Sequence, residues 1–485
     1  MYKQVLDPVS HSLGLTSIFA LVPLAVLFVL LGVLRLKAQW ASLITLGVAI
    51  LVALIVYSMP IGQAVDSGLE GAAFGFWPIM WIVITALWIF NMTDATGYFS
   101  VLRRAFARVS DDLRVQVVMI AFCFGALLEA LAGFGTPVAI CGIMLVGLGV
   151  KPIKAAAVAL VADTAPVAFG AIAIPITTLG TVSGLPVHQL GQMVGRQTPF
   201  LALLVPFVLV FMTDGRRGLR ETWPAALTAG VVFAALQFAI SNFVSIELTD
   251  IIASLGSAAA LLALLKVWSP AAPLTVASRT GAGQPAIAGG STSDPAFERT
   301  VQAKDDKPLT TRELVLAFAP YVIIIIVLGL ISLKGVATQL DKATVCTVLA
   351  VAYVMNLSGQ SITLGTWAAG AGGFFAFLSP LIGWFGTAVT GSDTSTNSLF
   401  GALQVAAAKQ SGLSPTLLAA ANSSGGVLAK MVSPQNLAIG AAAVGLGGQE
   451  GDIFRKVLGW SLVLVLLMAV LVLLQSTSVL SWMVP

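Results

Sequence analysis

Long apolar runs separated by short polar stretches make up most of this chain. Runs of about 20 apolar residues are long enough to cross a bilayer as helices. The first two lie at about residues 13–34 and 41–59, and the last lies at about residues 457–482. The pattern predicts an all-α polytopic membrane protein with about 12 to 13 transmembrane segments.

One run, residues 115–150, is interrupted at membrane depth by Gly133-Phe-Gly-Thr-Pro137. As one straight helix it would rise about 52 Å, against a hydrocarbon core of about 30 Å. Arg114 precedes the run, and Lys151 and Lys154 follow it. Because positive residues favour the cytoplasmic side, we expect both ends there and a re-entrant hairpin between them.

The C-terminal half contains a second interruption. A hairpin is expected over residues 380–410, where Thr390-Gly-Ser-Asp-Thr-Ser-Thr-Asn-Ser398 breaks the apolar run. Each hairpin is followed by an Ala-rich helix with polar breaks, at residues 155–180 and 414–447. Broken apolar segments in matching halves indicate the binding site of a transporter, here built as an inverted repeat.

The same pattern divides the chain into four parts. They are a first membrane repeat (1–214), two connecting spans (215–266), a disordered cytoplasmic linker (267–312) and a second membrane repeat (313–485). The linker is predicted because it is rich in Pro, Gly, Ser and Thr and poor in large apolar residues.

Three shorter segments carry more local predictions. Residues 60–71 are expected to form a polar turn, and residues 98–110 a helix on the membrane surface. Residues 362–378 are expected to form either an outward crossing or a second surface helix.

Composition agrees with a membrane protein and excludes other classes. Of the 485 residues, 58% are hydrophobic and 9% are charged, against about 25% charged residues in soluble domains. The net charge of +4 is small and comes from loop Lys and Arg, so nucleic acid is not an expected partner. Membrane lipid is an expected partner, and the sequence leaves open whether the protein forms a homodimer. The three cysteines have no metal-ligand spacing, so we expect no metal and no cofactor besides the coupling ion.

Several motifs resemble those of the bacterial L-lactate permease family, which are lactate/glycolate:proton symporters. They are Phe122-Cys-Phe-Gly-Ala-Leu-Leu-Glu129, Gly133-Phe-Gly-Thr-Pro-Val-Ala139, Thr164-Ala-Pro-Val-Ala-Phe-Gly170, Gly191-Gln-Met-Val-Gly-Arg-Gln197, Gly391-Ser-Asp-Thr-Ser-Thr-Asn397 and Gly425-Gly-Val-Leu-Ala-Lys-Met-Val-Ser-Pro-Gln435.

The resemblance implies import of L-lactate, D-lactate and glycolate with a proton, across the bacterial inner membrane. It also implies kinship with ion-coupled transporters built from scaffold helices and re-entrant hairpins. Two departures stand out. The chain is shorter than family members near residues 333–344, and Asp163 stands where the family pattern leads us to expect Asn.

A 2-hydroxymonocarboxylate offers a carboxylate and a hydroxyl, which helix N-termini and small polar side chains can bind. The expected substrate-binding residues are those at the breaks: Gly133, Gly135, Thr136, Ser392, Thr394, Ser395, Thr396, Asn397, Asn422, Ser423, Lys430 and Arg196. The alternative for Gly and Ser is that they only allow close helix packing.

Three acids are candidates for proton coupling, namely Glu129, Asp393 and Asp163. A buried carboxylate in lipid tends to take up a proton. The alternatives are a fixed ion pair, or for Asp393 a helix cap. Lys430 would be the counter-charge of the substrate or the partner of Asp393, whereas Arg196 could simply reach the membrane interface.

Two other functions compete with proton symport. A sodium-coupled or other organic-anion carrier could use the same scaffold. An intramembrane enzyme would need a nucleophile–base pair or a metal cluster, and neither is visible with two loop histidines. The sequence therefore predicts a transporter and not an enzyme.

Overall fold

The computed structural model describes residues 4–30, 38–74, 110–131, 133, 135–274 and 350–485, with a few single positions between them. Throughout this part the regular elements are helices. Their bounds are Leu13–Phe28, Ala38–Ile55, Ile61–Phe74, Leu113–Leu131, Thr136–Gly147, Pro152–Ala162, Gly170–Ser183, Val187–Val194, Thr198–Phe243, Thr249–Leu265, Ala350–Ser358, Gln360–Ala368, Phe375–Thr390, Asp393–Ser411, Pro415–Gly426, Pro434–Ala443 and Glu450–Gln475.

Several of these helices have the length and composition of membrane spans. Four pass that test within the described residues, and a fifth does if the pair Pro152–Ala162 and Val167–Ser183, bent by 64°, is one span. Helix Glu450–Gln475 exposes Leu462, Leu466 and Val470 to the surroundings. Because such a row of apolar side chains suits lipid, the chain is an all-helical multi-pass membrane protein. The predicted spans at 74–91, 314–333 and 344–355 lie wholly or largely outside the described residues.

Hairpin 1 is formed by Leu113–Leu131 and Thr136–Gly147, whose helices pack against each other. Its first helix is buried along its whole length. Gly133 and Gly135 form the turn with φ angles of 57° and 82°, a left-handed conformation that glycine adopts without steric cost. Two packed helices joined by a glycine turn thus occupy the region in which a re-entrant hairpin is predicted, 115–150.

Hairpin 2 is formed by Phe375–Thr390 and Asp393–Ser411, also packed against each other. Gly391, with φ of 77°, is its turn. The structure starts it at residue 375 and not at 380, because Pro380 lies inside the first helix.

Each hairpin is followed by a broken helix. Broken helix 1 is Pro152–Ala162 and Gly170–Ser183, joined through residues 163–169. Broken helix 2 is Pro415–Gly426 and Pro434–Ala443, joined by the 3₁₀ segment Val427–Val432. The second half of broken helix 1 packs against hairpin 2, and the second half of broken helix 2 packs against hairpin 1. Such exchange of contacts is what a two-fold relation between the halves produces.

Two local predictions need correction. Residues 60–71, expected to be a polar turn, lie mainly in helix Ile61–Phe74. Residues 362–378 do not form one straight helix, because the chain bends at Gly372, between helix Gln360–Ala368 and the first helix of hairpin 2. Helix Gln360–Ala368 has nine residues and by itself rises only about 14 Å, less than half of the hydrocarbon core.

The start of the predicted linker is ordered. The carbonyl of Ala272 accepts a hydrogen bond from Arg114, and Leu274 exchanges bonds with Asp112 and Leu113. Residues 275–309 and the predicted surface helix at 98–110 lie almost entirely outside the described residues.

Candidate functional site

The tips of both hairpins and the breaks of both broken helices enclose one cavity of about 60 Å³. A cavity needs about 10 to 15 Å³ to hold one water, so this one exceeds the space for a single water molecule several times. The polar lining residues are Glu129, Ser392, Asp393, Thr394, Lys430, Gln435 and Asn436. Gly133, Gly391 and residues between 167 and 175 complete the wall.

Lys430 sits between two carboxylates that come from different elements. Its Nζ donates to Glu129 Oε1 at 2.6 Å and lies 3.0 Å from Asp163 Oδ2. The three residues are almost fully buried, with 6%, 3% and 3% of their surface exposed for Lys430, Glu129 and Asp163. The structure therefore pairs Lys430 with Glu129 and Asp163, and not with Asp393.

The two acids are incompletely bonded. Glu129 Oε2 and Asp163 Oδ1 are buried without a hydrogen-bond partner among the described residues. Glu129 lines the cavity, whereas Asp163 stands behind it, at the C-terminal end of Pro152–Ala162. Buried carboxylate oxygens without partners are costly as anions. The arrangement thus suits a group that gains a proton or a ligand.

Asp393 occupies the tip of hairpin 2. Its Oδ2 accepts hydrogen bonds from Ser423 at 2.6 Å and from Asn397 at 3.2 Å, and its Oδ1 has no partner in the described part of the chain. The helix cap is not Asp393 but Ser392, whose hydroxyl accepts from the amide of Ser395. The helix dipole at this N-terminus favours negative charge, whether from Asp393 or from a bound anion.

Four predicted binding residues form a buried network beside the cavity. Asn397 donates to Ser423 and to the carbonyl of Pro175, and its side-chain oxygen accepts from Asn422. Thr396 accepts from Thr387 at 2.8 Å. None of the four predicted residues is among those lining the cavity. Asn397, Asn422 and Ser423 join hairpin 2 to the broken helices, whereas Thr396 bonds within hairpin 2.

The remaining predicted residues lie at the tips or elsewhere. Gly135 packs against Ile439 of broken helix 2, and Thr136 begins the second helix of hairpin 1. Arg196 is remote from the cavity, because it donates to Asn242 Oδ1 and to the carbonyl of Met483, both at 2.8 Å.

Two features of the cavity were missed from the sequence. Gln435 and Asn436 follow the Ser433-Pro434 break, and Asn436 donates to the carbonyl of Gly391. The signal that pointed to residues 392–397, polar residues directly after a break, is also present at Gln435 and Asn436.

The second missed feature is the backbone at Ala171, Ile172 and Ala173, which adopt left-handed φ angles of 45°, 60° and 59°. This conformation costs about 1 to 2 kcal/mol per residue. Strained backbone of this kind concentrates at functional sites.

Comparison of the sequence with known proteins assigns the chain to a family. The family model described as L-lactate permease matches residues 16–342 and 330–479. The chain belongs to the L-lactate permease family. It is therefore a membrane transporter. The two matched segments overlap at residues 330–342, close to where we expect the chain to be shorter than family members.

Individual permeases match over nearly their whole length. The chain is 39% identical to the glycolate permease GlcA of Escherichia coli K12, over 96% of each chain. It is 38% identical to the L-lactate permeases of Bacillus subtilis and of E. coli K12, over 100% of each. A solved structure, that of the Alcanivorax borkumensis YdaH transporter, aligns with 83% of this chain and 86% of its own, at 16% identity and a TM-score of 0.39. A TM-score this low supports no conclusion about the fold or the function of this chain.

Proposed function

We propose that this permease carries L-lactate and related 2-hydroxymonocarboxylates, D-lactate and glycolate among them, together with a proton across the bacterial inner membrane. The observation that carries the proposal is the cavity between the hairpin tips, which Lys430, Glu129 and Asp393 all line. The names of the relatives, lactate and glycolate permeases, supply the substrate class.

The charges of the cavity favour a monocarboxylate. Among the described lining residues, Lys430 is the one cation and Glu129 and Asp393 are the acids. One ammonium can match one carboxylate, whereas a dicarboxylate would bring a second charge next to two acids.

The neutral polar groups suit the hydroxyl of the substrate. Ser392 and Thr394 provide hydroxyls at the start of Asp393–Ser411, and Gln435 and Asn436 provide amides. The first amides of that helix lack intrahelical partners and can bind an anion. Together with Lys430 they can fix both ends of a 2-hydroxy acid.

The buried acids support coupling to a proton. An anion that moves with one proton transfers no net charge, so a pH gradient and not a membrane voltage should drive uptake. Glu129, Asp163 and Asp393 all have a carboxylate oxygen without a partner in the described structure, and each is a candidate for the proton.

The test is uptake of labelled L-lactate by proteoliposomes that contain the purified protein. An inward proton gradient is imposed and then collapsed with a protonophore, and a voltage is applied separately with a potassium ionophore. We expect accumulation with the pH gradient alone, competition by D-lactate and glycolate, and weak competition by succinate.

Three variants accompany the wild type. Glu129→Gln and Asp393→Asn each remove one acid at the cavity, and Asp452→Asn removes an acid whose side chain is 53% exposed. Loss of gradient-driven uptake in either cavity variant, with Asp452→Asn unaffected, is the expected result. Uptake that requires sodium and does not respond to the proton gradient would show that sodium, and not a proton, is the coupling ion. Absence of lactate flux under every gradient would overturn the substrate class.

A further inference from the structure

We propose that Lys430 exchanges partners in each transport cycle. A proton taken up by Glu129 releases the ammonium from this carboxylate, and the substrate's carboxylate takes the vacated place while Asp163 keeps hold of Lys430. The inference rests on the proposed function and deepens it, because it orders the binding of proton and substrate.

The first argument is the charge of the triad. With Glu129 and Asp163 ionised, two carboxylates share one ammonium, and the triad carries one net negative charge. A substrate anion would add a second in a region where charges interact strongly and are costly. With a proton on Glu129, Lys430 and Asp163 balance each other. The entering anion then meets an ammonium with a donor to spare, because lysine has three.

The second argument identifies Glu129 as the exchangeable partner. Glu129 lines the cavity, as Lys430 does, whereas Asp163 does not. The Oε2 atom of Glu129 is buried without a partner in the described residues, which leaves a place for the proton. The Oε1 atom, 2.6 Å from Nζ, is the one that a substrate oxygen would replace. Asp163 is then a positioning residue that holds the ammonium from behind.

The other titratable groups around Glu129 reinforce this assignment. Asp250, on the adjacent helix Thr249–Leu265, is buried, interacts electrostatically with Glu129 and accepts a hydrogen bond from Gln237. Asp393 faces Lys430 across the cavity. The thiol of Cys141, on the other helix of hairpin 1, donates to the carbonyl of Ile120. Glu129 and Asp163 therefore contact Lys430 directly, and Asp393 interacts electrostatically with the same lysine. Asp250 acts on Glu129 and not on Lys430, so a proton on Glu129 relieves repulsion among these carboxylates.

The exchange of partners by Lys430 also explains how transport of the proton and transport of the substrate anion stay coupled. A protonated carrier without substrate leaves the ammonium of Lys430 short of a partner. A carrier with substrate but no proton has one carboxylate too many. Both states are unfavourable, so proton and anion each favour the binding of the other.

The experiment measures L-lactate binding to the purified protein between pH 5.5 and 8.5, alongside lactate exchange in proteoliposomes without a gradient. For the wild type we expect the Kd to rise with pH, up to about tenfold per unit once Glu129 releases its proton. For Glu129→Gln we expect binding and exchange that no longer vary with pH, and no accumulation under a proton gradient.

Asp250→Asn is the matched control, because Asp250 is as buried as Glu129 but does not line the cavity. It should keep the pH dependence of lactate binding, with at most a shifted midpoint. An unchanged pH dependence in Glu129→Gln, or accumulation by that variant, would overturn the inference.

Lys430→Gln should lose lactate binding, but it leaves two buried carboxylates without a cation and can fail to fold for that reason alone. The double variant Glu129→Gln/Lys430→Gln keeps the net charge of the triad and separates the two effects. We expect it to fold and to bind no lactate, and binding of wild-type strength would overturn the role of Lys430. A wild type that binds no lactate at any pH would instead overturn the proposed function, and the inference with it.

Discussion

Gly170 and Glu129 are packed so closely that a β-carbon built on Gly170 would lie 2.7 Å from the Oε1 atom of Glu129. The second half of the chain has a counterpart, because a β-carbon on Gly426 would clash with Asp393 Oδ1. In both halves, a glycine of the broken helix makes room for the acid of the hairpin. The glycine next to Glu129 thus lets the carboxylate reach Lys430.

Gly170→Ala should therefore impair transport through Glu129. The backbone of Gly170, with φ −63° and ψ 155°, suits alanine, so the effect is steric and not conformational. We expect the rate of lactate uptake per folded protein to fall by about tenfold or more, as the loss of a well-aligned charged contact would cause. Gly459→Ala, inside helix Glu450–Gln475 with open space around it, is the control. Equal uptake by the two variants would contradict the prediction.

Asn397→Ala should destabilise the junction of hairpin 2 with both broken helices. Asn397 donates to the Pro175 carbonyl at 3.2 Å and accepts from Asn422 at 2.9 Å. Leaving these buried groups unpaired costs about 1 to 3 kcal/mol, which thermal unfolding in detergent would detect. The exposed Gln410 on the same helix gives the control variant Gln410→Ala. In a double-mutant cycle, Asn397→Ala and Asn422→Ala should not be additive, and additive effects would rule out the proposed network.

The hairpins could be predicted from the sequence because their cause is local. Gly133, Gly135 and Gly391 free backbone groups that lipid cannot satisfy, and the structure places all three at turns with positive φ. Helix Ile61–Phe74 was missed for a related reason. It contains polar residues such as Gln63, Asp66 and Glu70, so a search for apolar runs passes over it.

The pairing at the site could not be predicted in the same way. Lys430 and Glu129 are separated by 301 positions, and the sequence led us to expect Asp393 as the acidic partner of Lys430. The choice depends on how the two halves pack, since reciprocal contacts bring the break of broken helix 2 to the tip of hairpin 1. Gln435 and Asn436 enter the cavity through the same packing.

Arg114→Ala should lower stability far more than removal of an exposed arginine. The Arg114 side chain is fully buried and pairs with Asp112, Asp214 and Glu221 at 2.6, 3.0 and 2.8 Å. Its removal leaves the buried carboxylate of Asp112 without a cation, and breaking such a buried pair costs about 3 to 5 kcal/mol. The partly exposed Glu221 keeps its 3.0 Å contact with Arg217. Arg455→Ala, in which an 82% exposed side chain loses a 3.5 Å contact with Asp452, should cost less than about 1 kcal/mol. Unfolding of both variants in detergent makes the comparison, and similar losses would contradict it.

The carboxylate of Asp112, just before hairpin 1, should make the stability of the protein depend on pH. Burial works to raise the pKa of Asp112, but the guanidinium of Arg114 and the amide of Leu274 outweigh it and hold this pKa below its ordinary value. The folded state therefore favours the ionised carboxylate. Its contribution is fully present above the unfolded pKa of about 3.9 and is lost as the pH falls through the lower folded pKa.

Melting temperatures of the wild type and of Asp112→Asn between pH 3 and pH 6 test this directly. The wild type should be the more stable of the two above about pH 4, and the difference should shrink below that value as the carboxylate becomes protonated. Asp452→Asn, whose side chain is half exposed and lies 3.5 Å from Arg455, should differ little from the wild type across the range. If the difference for Asp112→Asn stays constant down to pH 3, ionisation of Asp112 does not contribute, and the bonds to Arg114 and Leu274 act only through their geometry.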